Sequence, residues 1–209
     1  MAVARSENEL AALGMDYVAA DLGTAEGCSR AVEATRKRLG PVEIFVCNHG
    51  IGSAHEKVTW EQDPQLWDQT IRVNLDGPFH LSRLITAGMV SLGYGRVVYT
   101  SSTAGEVAEY ASAAYNSSKH GLLGLMRSVA VDGGAHGITS NAVLPGWVRT
   151  EMAENSALAE AQGRGVSAEE IWAERAALYP AGRVVTPTEV AEVIAFLASE
   201  EASGVSGQA

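Results

Sequence analysis

The stretch VVYTSSTAGEVAEYASAAYNSSK, residues 97–119, decides how the rest of the chain is read. It opens on β-branched and aromatic residues suited to a strand, breaks at Ser101 and Ser102, and runs into an alanine-rich segment suited to a helix. A strand, a loop and a helix make half of a βαβ unit. Working outward, the same alternation recurs on both sides. Upstream, Met15–Ala20 reads as a strand and Thr24–Leu39 as a helix with Thr24 at its N-cap. Gly40-Pro41 ends that helix, and the apolar run Val42–Cys47 suits a strand buried on both faces. Pro64 fits the first turn of a long helix reaching about Leu92, and Pro78 predicts a kink inside it. The seed stretch itself gives a strand over Arg96–Thr100 and a helix over Ala113–Ala130, closed near Gly133-Gly134. Downstream come a strand at Ile138–Val143, a polar and mobile helical excursion at Glu151–Tyr179, and a helix capped by Thr188 that runs through Leu197. At the start, Met1–Ala4 reads as the tail of a strand and Ser6–Leu13 as a helix. Alternating strands and helices of this kind predict one α/β domain over 1–209, a parallel sheet with helices on both faces.

Composition agrees with one globular domain: 209 residues, 46% hydrophobic and 19% charged, with no repeat and no low-complexity run. The formal net charge of −10 argues against nucleic acid or an anionic membrane surface as a partner, because the long-range field repels phosphate. Cys28 and Cys47 are too few for a disulfide framework, and Cys47 lies in an apolar run, which predicts a buried thiol. No apolar run approaches 18 residues and no leader pattern is present, so the cytoplasm is the expected compartment. The histidines at 49, 55, 80, 120 and 136 show no metal-ligand spacing, and no metal is expected.

Tyr115 and Lys119 stand four apart on the predicted helix, so both side chains occupy one face, one turn apart. An ammonium beside a phenol favours the phenolate, which predicts a Tyr115 pKa drawn from about 10 toward neutrality. A group so tuned serves as a general acid–base. Ser102 could donate a hydrogen bond to a carbonyl oxygen.

The ordered set around that pair resembles the short-chain dehydrogenase/reductase family, over nearly the whole length. Ala20-Asp21-Leu22 resembles the aspartate that closes a strand beside the adenine; Val46-Cys47-Asn48-His49-Gly50 the Asn-Asn-Ala-Gly motif; Val73-Asn74-Leu75 the active-site asparagine. Thr100-Ser101-Ser102 and Tyr115-Asn116-Ser117-Ser118-Lys119 match the catalytic serine and Tyr-x-x-x-Lys, thirteen residues apart from Ser102 to Tyr115. The run from Asn141 to Thr150, with Pro145-Gly146 at its centre, resembles the segment along the nicotinamide. Cys47 and His49 depart from the family's pattern, His49 as a packing or ribose-edge residue. Ser140 stands where an aliphatic side chain is usual, which should weaken its strand slightly.

The resemblance implies a Rossmann-type doubly wound sheet and an oxidoreductase interconverting a ketone, possibly 3-oxoacyl, and a secondary alcohol. Tyr115 would move the proton; Lys119 would lower its pKa and hold the nicotinamide ribose; Ser102 would fix the carbonyl. Asn74 would hold its helix open for a water in a proton relay. Asp21, Leu22, Asn48, His49, Gly50, Pro145, Gly146, Val148 and Thr150 would line the cofactor. An acid that binds the ribose 2′-hydroxyl is replaced by Ala4 followed by Arg5, which favours NADP(H) over NAD(H). Residues 151–180 would form the substrate lid, with Trp147, Met152, Trp172, Leu178 and Tyr179 lining an apolar pocket or, for Trp172 and Leu178, packing lid on body. Helices containing Leu122, Leu123, Leu125 and Met126 would pair into a homodimer or homotetramer. The family's first strand, its Thr-Gly-x-x-x-Gly-x-Gly loop, its first helix and its last strand have no match here. The expectation is therefore a domain lacking those parts, poorly stable and weakly active by itself, since each unpaired buried peptide group costs on the order of 1–3 kcal/mol. The alternative is a non-catalytic relative or partner subunit.

Overall fold

The computed structural model describes residues 1–52 and 56–209; Ser53, Ala54 and the predicted-unliganded His55 lie outside the described residues. Five strands form: β1 (Ala2–Ala4), β2 (Tyr17–Ala19), β3 (Ile44–Cys47), β4 (Gly95–Thr100) and β5 (Ile138–Val143). All pair in parallel, as expected when each strand is followed by a helical crossover. They form two ladders, β1-β2 and β3-β4-β5. Among the described residues no strand pairing joins the two, and the outer edge strand β3 leaves Ile44 and Val46 exposed.

Alternation along β4 explains the two-layered core. Val97 and Tyr99 point into the larger cluster with Cys28, Leu81, Met89, Leu122 and Met126. Val98 points the other way, onto Val143 and Leu197. Ser140 is fully buried without weakening β5, because its hydroxyl donates to the Met126 carbonyl at 2.9 Å. Beyond it, Gly207 N–H donates to the Ser140 carbonyl at 2.7 Å and Ala142 N–H to the Gln208 carbonyl at 2.9 Å, so the last residues run beside β5.

The helices are α1 (Glu7–Ala12), α2 (Ala25–Leu39), α3 (Pro64–Ile71), α4 (Gly77–Leu92), α5 (Ala113–Gly133), α6 (Glu151–Arg164), α7 (Ala168–Ala177) and α8 (Pro187–Leu197). Thr24 caps α2 by accepting from Gly27 N–H at 3.0 Å. The long helix expected from 64 to 92 is two helices joined by a π turn at Arg72–Asp76. Pro78 supplies no N–H to the preceding turn, and the chain widens into the π turn just ahead of it. The cap of α8 is Thr186, not Thr188: Thr186 and Glu189 form a capping box around Pro187 at the first helical position. The segment expected as a mobile excursion has a core of its own, Ala153, Ala157, Ala161, Ile171 and Trp172. Among the described residues no helix is long and apolar enough to cross a membrane.

Candidate active site

β4 ends at Thr100, and Ser102 follows, buried, with its oxygen accepting the Ala104 N–H at 3.2 Å. α5 then carries Tyr115 and Lys119 in its first two turns. The N-terminus of α5 has no side-chain cap of its own. Glu56 takes that place: its two carboxylate oxygens accept the N–H groups of Ala114 and Tyr115, each at 2.9 Å. No local sequence signal marks this, because Glu56 comes from a loop after β3.

Lys119 is buried; its Nζ donates to the Thr100 carbonyl at 3.0 Å and lies 5.6 Å from the centre of the Tyr115 ring. Asn74 sits in the π turn, 1% exposed, and is fully engaged. Its Nδ2 donates to the Ile51 carbonyl at 3.0 Å and to Ser118 Oγ at 3.1 Å, and its Oδ1 accepts the Ile51 N–H at 2.8 Å. The wide turn thus ties the α3–α4 junction both to the loop after β3 and to α5. Gly50 passes so close that a Cβ there would stand 3.3 Å from Asn74 Oδ1 and 3.6 Å from Lys119 Nζ.

The electrostatics differ from the sequence expectation. Burial raises the Tyr115 phenol above its usual range; the Ser102 hydrogen bond pulls it down, and Glu109 and Glu56 push it further up. Burial draws the Lys119 ammonium itself down to about 8, opposed only by Cys47. Desolvation of the pair outweighs their mutual attraction. Burial, then the Lys119 charge, lower His49 to about 4, so its imidazole is neutral at physiological pH. Its Nε2 is buried without a hydrogen-bond partner among the described residues. Cys47 is a buried thiol pushed up to about 12, foremost by desolvation.

A cavity of about 350 Å³ opens beside Tyr115, walled by Asn48, Ser102, Gly146, Trp147 and Met152 among others. Its far wall is the loop after β5. Tyr179 Oη accepts the Trp147 N–H at 2.7 Å and leaves no room for a Cβ on Gly146. Thr150 caps α6, and its own N–H donates to the Val148 carbonyl at 2.8 Å. The α6–α7 segment is fastened by stacked cations: the Arg175 guanidinium lies 3.6 Å from the Trp147 ring centre and 5.0 Å from that of Trp172, and Arg149 lies 5.0 Å from Trp172. Of the five residues expected in the pocket, Trp147 and Met152 line it. Trp172 is drawn into the lid core by Arg175 and by its Nε1–H bond to Glu154, Leu178 is exposed, and Tyr179 grips the loop from behind.

The residues expected at the adenine lie elsewhere, on the β1-β2 ladder. Asp21 is exposed at the end of β2 and accepts the Gly23 N–H at 2.9 Å. Leu22 turns its side chain into the core, leaving only its backbone for any contact, and Arg5 is exposed after β1. At the cavity end the donor set fits a nicotinamide riboside: the Tyr115 phenol and the Asn48 and Thr150 side chains on the wall, with the buried Lys119 ammonium beside the tyrosine ring.

Comparison with known proteins agrees. A family profile described as Enoyl-(Acyl carrier protein) reductase matches residues 2–209. D-beta-hydroxybutyrate dehydrogenase of Cupriavidus necator is 34% identical over 192 residues, 91% of this chain and 74% of that protein. The crystal structure of levodione reductase superposes with a TM-score of 0.91 at 30% identity, covering 99% of this chain and 83% of that one. An actinorhodin polyketide ketoreductase solved with NADPH gives 0.88 at 33%, covering 99% and 82%. With Ser102 and Tyr115 lining one cavity, Lys119 one turn along the same helix as the tyrosine and Asn74 bonded to that helix through Ser118, in the fold these relatives share, the chain belongs to the short-chain dehydrogenase/reductase family of oxidoreductases.

Proposed function

We propose that the chain reduces a ketone to a secondary alcohol, with Tyr115 as the proton donor. The observation that carries this reading is the placing of the Tyr115 phenol and the Ser102 hydroxyl together on the wall of one cavity, the phenol kept protonated by burial and facing the space where a carbonyl would sit. A nicotinamide held by Lys119, Asn48, His49, Gly50, Pro145, Gly146, Val148 and Thr150 supplies the hydride. Ser102 fixes the carbonyl oxygen and Tyr115 delivers its proton as negative charge builds there. Lys119, near its own midpoint at about 8, is poised to replace that proton and stays anchored by the Thr100 carbonyl. Asn74 keeps the loop after β3 in place beside it. NADP(H) is the proposed cofactor, on the strength of exposed Arg5 beside the ribose position, with Asp21 and the Leu22 backbone at the adenine. A homo-oligomer is proposed as well, because Trp67 on α3, Phe79 on α4 and Val131 on α5 leave apolar surface exposed. The test is stopped-flow NADPH oxidation with ketones by the wild type and Tyr115→Phe. The variant should bind NADPH and lose roughly 10²–10⁴-fold in kcat. Equal rates for both proteins would remove Tyr115 from the chemistry.

A further inference from the structure

Of the described residues that line the cavity, only Tyr115 and Glu109 are ionisable; no lysine, arginine or histidine is among them. Glu109 is held there by its backbone. Its N–H donates to Asn116 Oδ1 at 3.2 Å, and its carbonyl accepts from Asn116 Nδ2 at 2.8 Å. Asn116 follows Tyr115 directly, so one amide side chain fixes Glu109 to the helical turn that presents the phenol. Between them the chain takes a left-handed step at Ala111, φ 49, the only non-glycine with positive φ among the described residues. Alanine adopts that conformation against a steric penalty, so the loop is held in place by the structure around it. The carboxylate at the end of this clamp has no hydrogen bond or ion pair among the described residues. Arg175, whose charge reaches it, directs its N–H groups to the Ala153 carbonyl, Ser156 Oγ and Glu160.

A carboxyl oxygen on a largely apolar wall accepts a hydrogen bond from a ligand and repels an anionic one. Resting on the ketone-reducing reading, we propose that Glu109 is a specificity-determining residue that accepts a hydrogen bond from a substrate hydroxyl. The substrate class is then an uncharged hydroxyketone, not a keto acid. This parts the chain from its relative named for D-beta-hydroxybutyrate, whose hydroxy acid is an anion: nothing cationic among the described lining residues would receive a carboxylate.

The test compares wild type, Glu109→Gln and Glu109→Leu on butanone, its two terminal hydroxy derivatives, acetoacetate, and benzylacetone with its para-hydroxyphenyl counterpart. Two readouts are taken: kcat/KM with NADPH, and the affinity of each compound from tryptophan fluorescence, since Trp147 lines the cavity. The wild type should prefer at least one hydroxyketone over its parent ketone by roughly tenfold or more, with acetoacetate poorest. Glu109→Leu should bring that ratio close to one, and Glu109→Gln, which keeps an acceptor oxygen, should retain part of it. The same ratio in all three proteins, or acetoacetate as the best substrate of the wild type, overturns the proposal. Donor-dependent binding without any turnover would defeat the hydride-transfer reading and leave this one standing. Turnover of plain ketones without donor preference would do the reverse, and neither binding nor turnover would defeat both.

Discussion

The floor and the roof of the cavity are built by different forces. The floor, β4 with the start of α5, holds Ser102, Tyr115, Lys119 and Asn74 through main-chain partners and apolar packing: Lys119 on the Thr100 carbonyl, Asn74 on both backbone groups of Ile51, Val97 and Tyr99 fully buried beneath. The roof, α6 and α7, buries mostly alanine and is fastened by charged side chains. Arg175 stacks on two tryptophans and reaches Glu160, while Arg164 pairs with Glu160 and Glu174. Exposed ion pairs are worth little each, on the order of 0–1 kcal/mol. A floor of this kind keeps one geometry; a roof of this kind can change its contacts without disturbing the floor. The proposed chemistry falls on the first, and the proposed substrate choice on the second together with Glu109.

Three substitutions would break or sharpen that contrast. The largest effect is expected from Lys119→Met, which should lower kcat by roughly 10²–10³-fold yet stabilise the fold at pH 7. The sign follows from burial. Lys119 has a folded pKa of about 8 against an ordinary value near 10.5, so folding carries the full penalty of a buried charge below pH 8. The penalty fades as pH rises from about 8 to about 10.5, and the advantage of the variant, on the order of a few kcal/mol, should fade with it. Urea unfolding of both proteins at pH 7 and pH 10 checks this; a variant less stable at pH 7 would mean the ammonium is a structural element of the floor. Next, Arg175→Met should unfasten the roof. KM should rise about tenfold with kcat altered less than about threefold, since each cation–π contact is worth about 0.5–2 kcal/mol. A kcat loss larger than the KM rise would show floor and roof to be one mechanical unit. The smallest effect is expected from Tyr179→Phe, which removes the acceptor of the Trp147 N–H and should cost a few-fold in kcat/KM, about 1 kcal/mol. No change there would mean that packing against Gly146 alone positions the loop.

The same contrast explains what was legible in the sequence. Floor elements announce themselves locally. The strand Ile138–Val143, the Thr24 cap and the spacing from Ser102 to Tyr115 and Lys119 all follow from period and cap chemistry within a few residues, and the structure places Ser102 and Tyr115 on one cavity wall with Lys119 buried beside the tyrosine ring. What was missed depends on residues distant in sequence. Glu56 caps α5 across 58 positions, and Arg175 stacks on Trp147 from α7, 28 positions away. The expected lowering of Tyr115 by Lys119 failed for a related reason: spacing gives proximity, but the balance of attraction and desolvation depends on how deeply the finished fold buries both. The pattern of apolar positions begins after Thr188 and so points to it as the cap of α8, whereas the start of the helix is set by Pro187 and the reach of Glu189 back to Thr186.

The π turn at Arg72–Asp76 has a consequence for phase. A helix turns about 100° per residue, and a π turn accommodates one residue more than an α-helical turn would. Whatever follows it is rotated relative to a continuous helix. This rotation lets α3 lie against α5 while α4 turns toward α2 as well as α5, although the two are one unbroken run of helical backbone. Asn74 sits at the hinge of that change of phase, and its amide is bonded to groups that a regular helix would aim elsewhere. A single-residue deletion there would give a smoother helix with better local hydrogen bonding. It would also point either Asn74 or the whole packing face of α4 in the wrong direction. The irregularity is what allows one segment to serve two neighbours and the cavity at once.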